Sequence, residues 1–381
     1  MKKVCKMFSF LLVFIFALSS NIYGEELQVD ESDYIHTNVV LDRDDFQSDE
    51  EFKDYLSLRP FNEIISPMSM PDVQPTKNPI ASDINYIFDF SNAVCNNAIQ
   101  NFCFDSTGTI IYVTQNASKN DGYNHTADAG DVIFSRCQLN GSTIKFLDSM
   151  ILKDVGHGQT LEMYTYSSKT YFLISCDKNL VGTNYWSTQI GRIQYKENTT
   201  IYSSNINRLN YLSYANEEMT SDDSVKRCDA AVSADNKLLL IWCKLDNDHI
   251  QYSCYDFNVV NAQLNNATKV SFKGNTTLHN AIKYSILQKG NSKIFPQSSF
   301  QGIEVTNNQN IYQSSGVISS KPWICSVSKK GVWNSTIQTA FNNTSAAYEM
   351  EGIKIRGDYI YFAGHFGSRN NRIGRILKSN F

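Results

Sequence analysis

Beyond residue 85 the chain alternates short apolar runs with turn-forming residues. TGTIIYVTQ, KTYFLISC, NKLLLIWC, NIYQSS and DYIYFAG are rich in Ile, Val, Leu, Tyr or Phe and lie among Gly, Asn, Asp, Ser or Lys. Branched and aromatic side chains suit a pleated, half-buried surface, so these runs predict strands, and no long helical period interrupts them. The runs also repeat. QNFCFDSTGTIIYV, EMYTYSSKTYFLIS, DAAVSADNKLLLIW, QGIEVTNNQNIYQS and EGIKIRGDYIYFAG each give a polar residue, a strand, a turn and a second strand. Their leading residues, Gln100, Glu162, Asp229, Gln301 and Glu351, are spaced by about 50 to 70 residues, the size of one small sheet. A third strand follows as GRIQYK, IQYSCYDF and RIGRILK in the second, third and fifth copies. Sheets repeated in this way lose their exposed edges by radial closure, so the expected fold is all-β, a five-bladed β-propeller. The alternative is one or two β-sandwiches. The fifth copy runs out after three strands, and INYIFDF at residues 84–90 is the free run expected to close the ring as an N-terminal strand.

The N-terminal pattern is different. MKKVCKMFSFLLVFIFALSSNIYG has a basic start, an apolar stretch from Met7 to Leu18 and a small residue, Gly24, at its end. That is the layout of a secretory signal peptide, expected over residues 1–24. Residues 25–55 hold twelve acidic side chains against Arg43 and Lys53, and within them SDEEFKDYLSL has the spacing of one short amphipathic helix. Five of the seven prolines then fall between Pro60 and Pro79, which predicts an extended spacer. The expected layout is a leader, an acidic and Pro-rich arm over 25–83, and a propeller over 84–381.

Charge adds little to this picture: the chain is −4 overall, and with the acidic arm set aside the body is mildly basic, which suits anionic cell-wall polymers. Export permits disulfides among the eight cysteines beyond the leader, but none of their spacings is CxxC, which argues against a zinc ribbon or dithiol motif. Nine Asn-x-Ser/Thr triplets are little more than such an Asn-rich chain yields by chance. HExxH, GxSxG, Walker and post-strand GxGxxG motifs are absent, which removes support for metalloprotease, serine hydrolase and nucleotide-binding functions. Arg369, Arg372, Arg375 and Lys378 lie along a terminal strand, a pattern of edge solvation rather than of a nucleic-acid grip.

Five stretches resemble the helveticin J family of large secreted bacteriocins: MILKDVGHGQTLE (150–162), YWSTQIGRIQYK (185–196), RCDAAVSADNKLLLIW (227–242), SFQGIEVTNNQNIY (299–312) and YEMEGIKIRGDYIY (348–361). The similar stretches run through most of residues 95–381. The resemblance implies a secreted antibacterial protein acting on related bacteria, and it carries over no catalytic residue. The cysteines and the acidic arm depart from the family's usual pattern.

In a propeller the first strand of each blade lines the central channel, so Gln100, Glu162, Asp229, Gln301 and Glu351 are expected around one mouth, with His157 and Gln159 in the loop leading to Glu162. Such a ring has three uses. It can hold water or a structural calcium ion, since crowded carboxylates need a counter-ion or raised pKa values. It can bind a bacterial surface or wall glycan, with Tyr185, Trp186 or Trp242 as stacking faces. It can hydrolyse glycosides with two of Glu162, Asp229 and Glu351, a role borrowed from propellers that cut polysaccharides. His157, between two glycines, is expected to shape a turn rather than act as a base. The sequence reading is a monomeric, secreted, cell-surface-binding bacteriocin without nucleotide or nucleic-acid partners, with a lectin or glycoside hydrolase as the alternative.

Overall fold

The computed structural model describes residues 79–117, 126–221, 223–288, 299–317, 322–341, 347–367 and 369–381. The leader, the acidic arm with its expected helix, and most of the Pro-rich spacer lie outside the described residues. What is described is all-β, built from 23 strands in chain order. Two short strands come first, β1 (Ile80–Ser82) and β2 (Tyr86–Asp89). Five successive units follow. The first contains β3 (Ile99–Phe104), β4 (Ile110–Asn116), β5 (Val132–Asn140) and β6 (Thr143–Lys153). The second contains β7 (Leu161–Tyr166), β8 (Lys169–Val181), β9 (Asn184–Ile193) and β11 (Asn207–Asn210), while β10 (Thr200–Tyr202) pairs parallel with β6 of the first. The third contains β12 (Val225–Val232), β13 (Leu238–Leu245), β14 (Ile250–Asp256) and β16 (Ile282–Gln288), while β15 (Lys269–Ser271) pairs parallel with β11 of the second. The fourth contains β17 (Phe300–Val305), β18 (Ile311–Ser315), β19 (Trp323–Val327) and β20 (Trp333–Phe341), and the fifth β21 (Glu349–Arg356), β22 (Tyr359–His365) and β23 (Asn371–Leu377).

Each of the five hairpins read from the sequence is an antiparallel pair: β3 with β4, β7 with β8, β12 with β13, β17 with β18, and β21 with β22. Their turns carry the chemistry such reversals need. Ser167 and Ser168 both take positive φ in the tightest of them, and Asp105 accepts hydrogen bonds from the amides of Thr109 and Ile110 across another.

The units are joined by five hydrophobic clusters. One packs Val132, Phe134 and Met150 of the first unit on Phe172 and Ile174 of the second. The next packs Leu173 and Ile190 on Leu239 and Ile241. A third joins Leu240 and Trp242 to Phe300 and Ile303. A fourth joins Ile324 and Ile337 to Ile353 and Phe362. The last brings Tyr361 and Ile373 of the fifth unit back to Phe102 and Val113 of the first. The sequence LLLIWC shows why this works: Leu239 and Ile241 face one neighbouring unit while Leu240 and Trp242 face the other, so a continuous apolar run is buried on both sides. The first strands touch in the same circuit, β3 with β7, β7 with β12, β12 with β17, β17 with β21, and β21 with β3.

The ends of this body are stitched together. β2 pairs antiparallel with β23 and parallel with β6, which merges the first and fifth units into one nine-stranded sheet. β1, within the stretch read as spacer, runs parallel beside β20 through Ile80–Ser82. Two α-helices interrupt the third unit, α1 (Phe257–Asn266) and the single turn α2 (Thr276–His279). Asp256 caps α1 by accepting from the amide of Asn258 at 3.0 Å, and Arg192 reaches the C-terminal carbonyl of α1 at Leu264. The buried face of α1 is Phe257, Val260, Asn261 and Leu264, a helical spacing short enough to pass for a strand in the sequence.

Candidate functional site

The circuit of first strands fixes a register that the sequence repeat had left open. The quartets that coincide are Gln100 to Cys103, Gln159 to Glu162, Cys228 to Ala231, Gln301 to Glu304, and Glu351 to Lys354. Contacts between second members make the register visible. A Cβ on Gly302 would lie 2.9 Å from Gly352 Cα, and one on Gly352 would lie 2.9 Å from Asn101 Cα. The Asn101 side-chain amide donates to the carbonyl of Gln159, and the Thr160 hydroxyl donates to Asp229 Oδ1 at 2.6 Å. Arg227 closes the circuit by donating to the Phe300 carbonyl at 2.7 Å. The residues expected in one ring therefore occupy three of the four levels, the first, second and fourth. Gln100, Gln159, Gln301 and Glu351 share the first, Asp229 belongs to the second, and Glu162 to the deepest.

At the deepest level Glu162 is not a free carboxylate. The Lys354 ammonium is paired with Glu162 and, at 2.6 Å, with Glu304, while the second oxygen of Glu304 accepts from the Ile355 amide at 3.0 Å. All three side chains are buried. The two carboxyls hold Lys354 firmly charged against the cost of burial, and burial pushes the Glu162 carboxyl up despite the lysine. The counter-ion expected to be calcium is at this level a lysine from the fifth unit. Among the described residues no group of three or more His, Cys, Asp or Glu side chains is arranged to hold a metal ion.

The outer levels are built differently. Arg227, only 8% exposed, lies over the Trp186 ring at 4.1 Å and near the rings of Phe300 and Trp242. Among the described residues its Phe300 bond is the one hydrogen bond its guanidinium makes, its Nε has no partner, and it forms no ion pair with a carboxylate. Three more buried polar atoms lack partners among the described residues: Asp229 Oδ2 on the same strand, Gln100 Oε1 on β3 and Gln159 Nε2 in the loop before β7. Gln301 is better placed, donating to Glu349 at 3.0 Å and to the Gly316 carbonyl at 3.2 Å. Burial pushes the Asp229 carboxyl up to about 7, and it pushes Glu351 and Glu349 up as well, Glu351 further because Glu349 stands beside it. Burial lowers Arg227 to about 10, which leaves it charged at neutral pH.

The GHG segment supplies the rim. Gly156 and Gly158 both have positive φ, and neither tolerates a side chain, since a Cβ on Gly156 would press on the Ser187 backbone and one on Gly158 on Val132. His157 between them meets Trp186 at 4.5 Å between ring centres and Asn116 at 3.3 Å. Its pKa is pushed down to about 3 by burial and by Arg227, so it is a neutral wall of the site. Trp186 is half-buried, whereas Trp242 is fully buried and stacked on Phe300 at 3.9 Å, which removes it as an open stacking face. Tyr185 packs instead under Lys178.

Arg227, Glu349, Glu304 and Lys354 escaped the sequence reading. The signal that would have found the last two is the Gln/Glu, small or polar residue, apolar residue pattern, QNF, QTL, QGI and EGI, which fixes the register of four units and puts Glu162, Glu304 and Lys354 in line. All eight cysteines beyond the leader are buried, and Cys103, Cys137, Cys176, Cys228 and Cys243 are free thiols, so these five act as small apolar side chains.

The family model described as bacteriocin helveticin-J matches residues 112–370, and the chain belongs to that family. No curated protein matches it. Among solved structures it is similar to the tail fibre of Staphylococcus aureus phage P68, at 14% identity and a TM-score of 0.45, covering 76% of this chain and 51% of that one. It is also similar to an exo-β-1,3-galactanase from Phanerochaete chrysosporium, at 12% identity and 0.44, covering 80% and 66%. A GH43 β-1,3-galactosidase gives 9% identity and 0.44, covering 78% and 94%. The chain thus spans about half of the tail-fibre chain and just under two thirds of the galactanase.

Proposed function

We propose that this protein is a secreted antibacterial protein of the helveticin-J type, exported by residues 1–24 and working by attachment to a glycan on the target cell surface or wall. Its body is a five-bladed β-propeller, a reading supported by the closed circuit of first strands and by the five clusters between successive units. The observation that carries the function is the set of buried, unpartnered polar atoms of Gln100, Gln159 and Asp229 at the mouth beside half-buried Trp186. Amide and carboxyl groups arriving from separate strands next to an aromatic wall suit a ligand rich in hydroxyls, since each such atom costs free energy until a partner reaches it. The test is to measure killing of sensitive cells and binding to their isolated walls with the wild type, Gln100→Leu and Gln159→Leu. Binding and killing lost together in folded variants supports the reading. Wall binding unchanged in both variants sinks it.

One observation favours a second reading, glycoside hydrolysis. Asp229, held near 7, and Glu351, held well above the ordinary range, come from different strands near one cation, and a carboxylic acid kept protonated at neutral pH can serve as a general acid. Release of reducing sugar from isolated walls, abolished by Asp229→Asn and Glu351→Gln, would establish it. Killing that survives both changes would assign the protein to a non-enzymatic mode.

A further inference from the structure

The charge at the mouth has a direction. A buried guanidinium is ordinarily paired with a carboxylate, because its desolvation is costly. Arg227 is not so paired. Three aromatic rings and one carbonyl surround it, its Nε points to no protein acceptor, and its neighbours Asp229 and Glu351 lie beyond ion-pair distance. Among the other unpartnered buried atoms at the mouth Gln159 Nε2 is a donor, while Gln100 Oε1 and Asp229 Oδ2 are oxygens. The contrast with Lys354 is instructive, since the one other buried cation of the axis has two glutamates within reach.

We propose that the mouth receives an anionic sugar residue, whose oxyanion, a carboxylate or a phosphate ester, pairs with Arg227. The inference rests on the reading of the mouth as a glycan site and names the class of glycan. The planar, forked head of arginine is suited to such groups, and here it lies among the rings of Trp186, Phe300 and Trp242. The groups facing Arg227 are Asp229 and Cys228 on its own strand, Glu351 on β21 and His157 ahead of β7, while β17 presents the Phe300 ring and carbonyl. Below about pH 7 Asp229 holds its proton, and burial raises Glu351 too, so their opposition to the cation is weakened. As Asp229 ionises above about 7 it competes for the cation, and anion binding weakens.

The experiment is calorimetric binding of the secreted chain to three probes: a galacturonate oligosaccharide, a neutral galactose oligosaccharide of the same length and a glycerol-phosphate polymer. The expected result is that at least one anionic probe binds about tenfold or more tighter than the neutral one, that Arg227→Gln removes that margin and that Arg227→Lys restores part of it. The anionic probe preferred tells carboxylate from phosphate. The anionic margin should also shrink between pH 6 and 8 in the wild type but not in Asp229→Asn, a readout that survives if Arg227→Gln fails to fold. Equal affinity for neutral and charged oligosaccharides, with no change in margin across pH, overturns the inference and leaves the glycan reading standing. No binding of any probe, together with wall binding that mouth substitutions do not alter, overturns both.

Discussion

Two levels of one axis, separated by two or three residues on each strand, are built to opposite rules. At the deep level Glu162, Glu304 and Lys354 satisfy one another completely within the protein, and Glu304 also takes a backbone amide. At the mouth Arg227, Asp229, Gln100 and Gln159 leave buried polar atoms without protein partners. The mouth draws on β3, β12 and the loop into β7, and the deep level on β7, β17 and β21; all belong to the same circuit of first strands, so the difference is not one of fold. A network closed on itself holds strands from three units together, and an open one costs stability that only an outside partner returns.

The sharpest break of this comparison is at Lys354. Lys354→Met leaves two buried carboxyls without their cation and should cost about 3 to 5 kcal/mol in urea unfolding, with wall binding retained by whatever fraction folds. Next comes Gly352→Ala, where the new Cβ meets the Asn101 backbone at 2.9 Å. That overlap at the junction of β21 and β3 should cost about 1 to 3 kcal/mol by the same measurement. Smaller and opposite in sign is Asp229→Asn. Asp229 holds its proton up to about pH 7 in the folded chain but only to the ordinary carboxyl range when unfolded, so its share of stability is complete below about pH 4 and lost as pH rises to about 7. Unfolding followed from pH 4 to 8 should show Asp229→Asn more stable than wild type by about 1 to 2 kcal/mol at pH 7.5 and level with it at pH 4. The smallest effect is expected at Gln100→Leu, a gain of up to about 1 kcal/mol in thermal unfolding as an unpartnered amide is removed, accompanied by loss of wall binding. A mouth substitution that destabilised the chain as Lys354→Met does would erase the distinction between the levels.

Much of the architecture was legible because it is written in period-two runs. LLLIWC and DYIYFAG have one reading as strands, and their recurrence gave all five hairpins and the N-terminal strand that pairs with β23. The site was legible only to the precision of the repeat register. Glu162 stood three residues from its true counterpart of Gln100, which is Gln159, because acidic residues were matched to amides by polarity alone. Side-chain pairing between distant units, as in Lys354 with Glu162, depends on how the strands meet at the axis and leaves no local trace. The helix from Phe257 to Asn266 was hidden for another reason, since its Val and Asn content favours neither state until Asp256 and Arg192 hold its two ends.

The stitch made by β2 has a consequence for when this molecule becomes whole. Ile87 is paired beside Thr143 on one side and Arg372 on the other, one partner near in sequence and one far. No shorter length of chain can supply both. The loop entropy of closing residue 87 onto residue 372 must be spent before that strand gains its second neighbour, so assembly is expected to finish late and all at once, with the closing seam formed only after β23 has emerged.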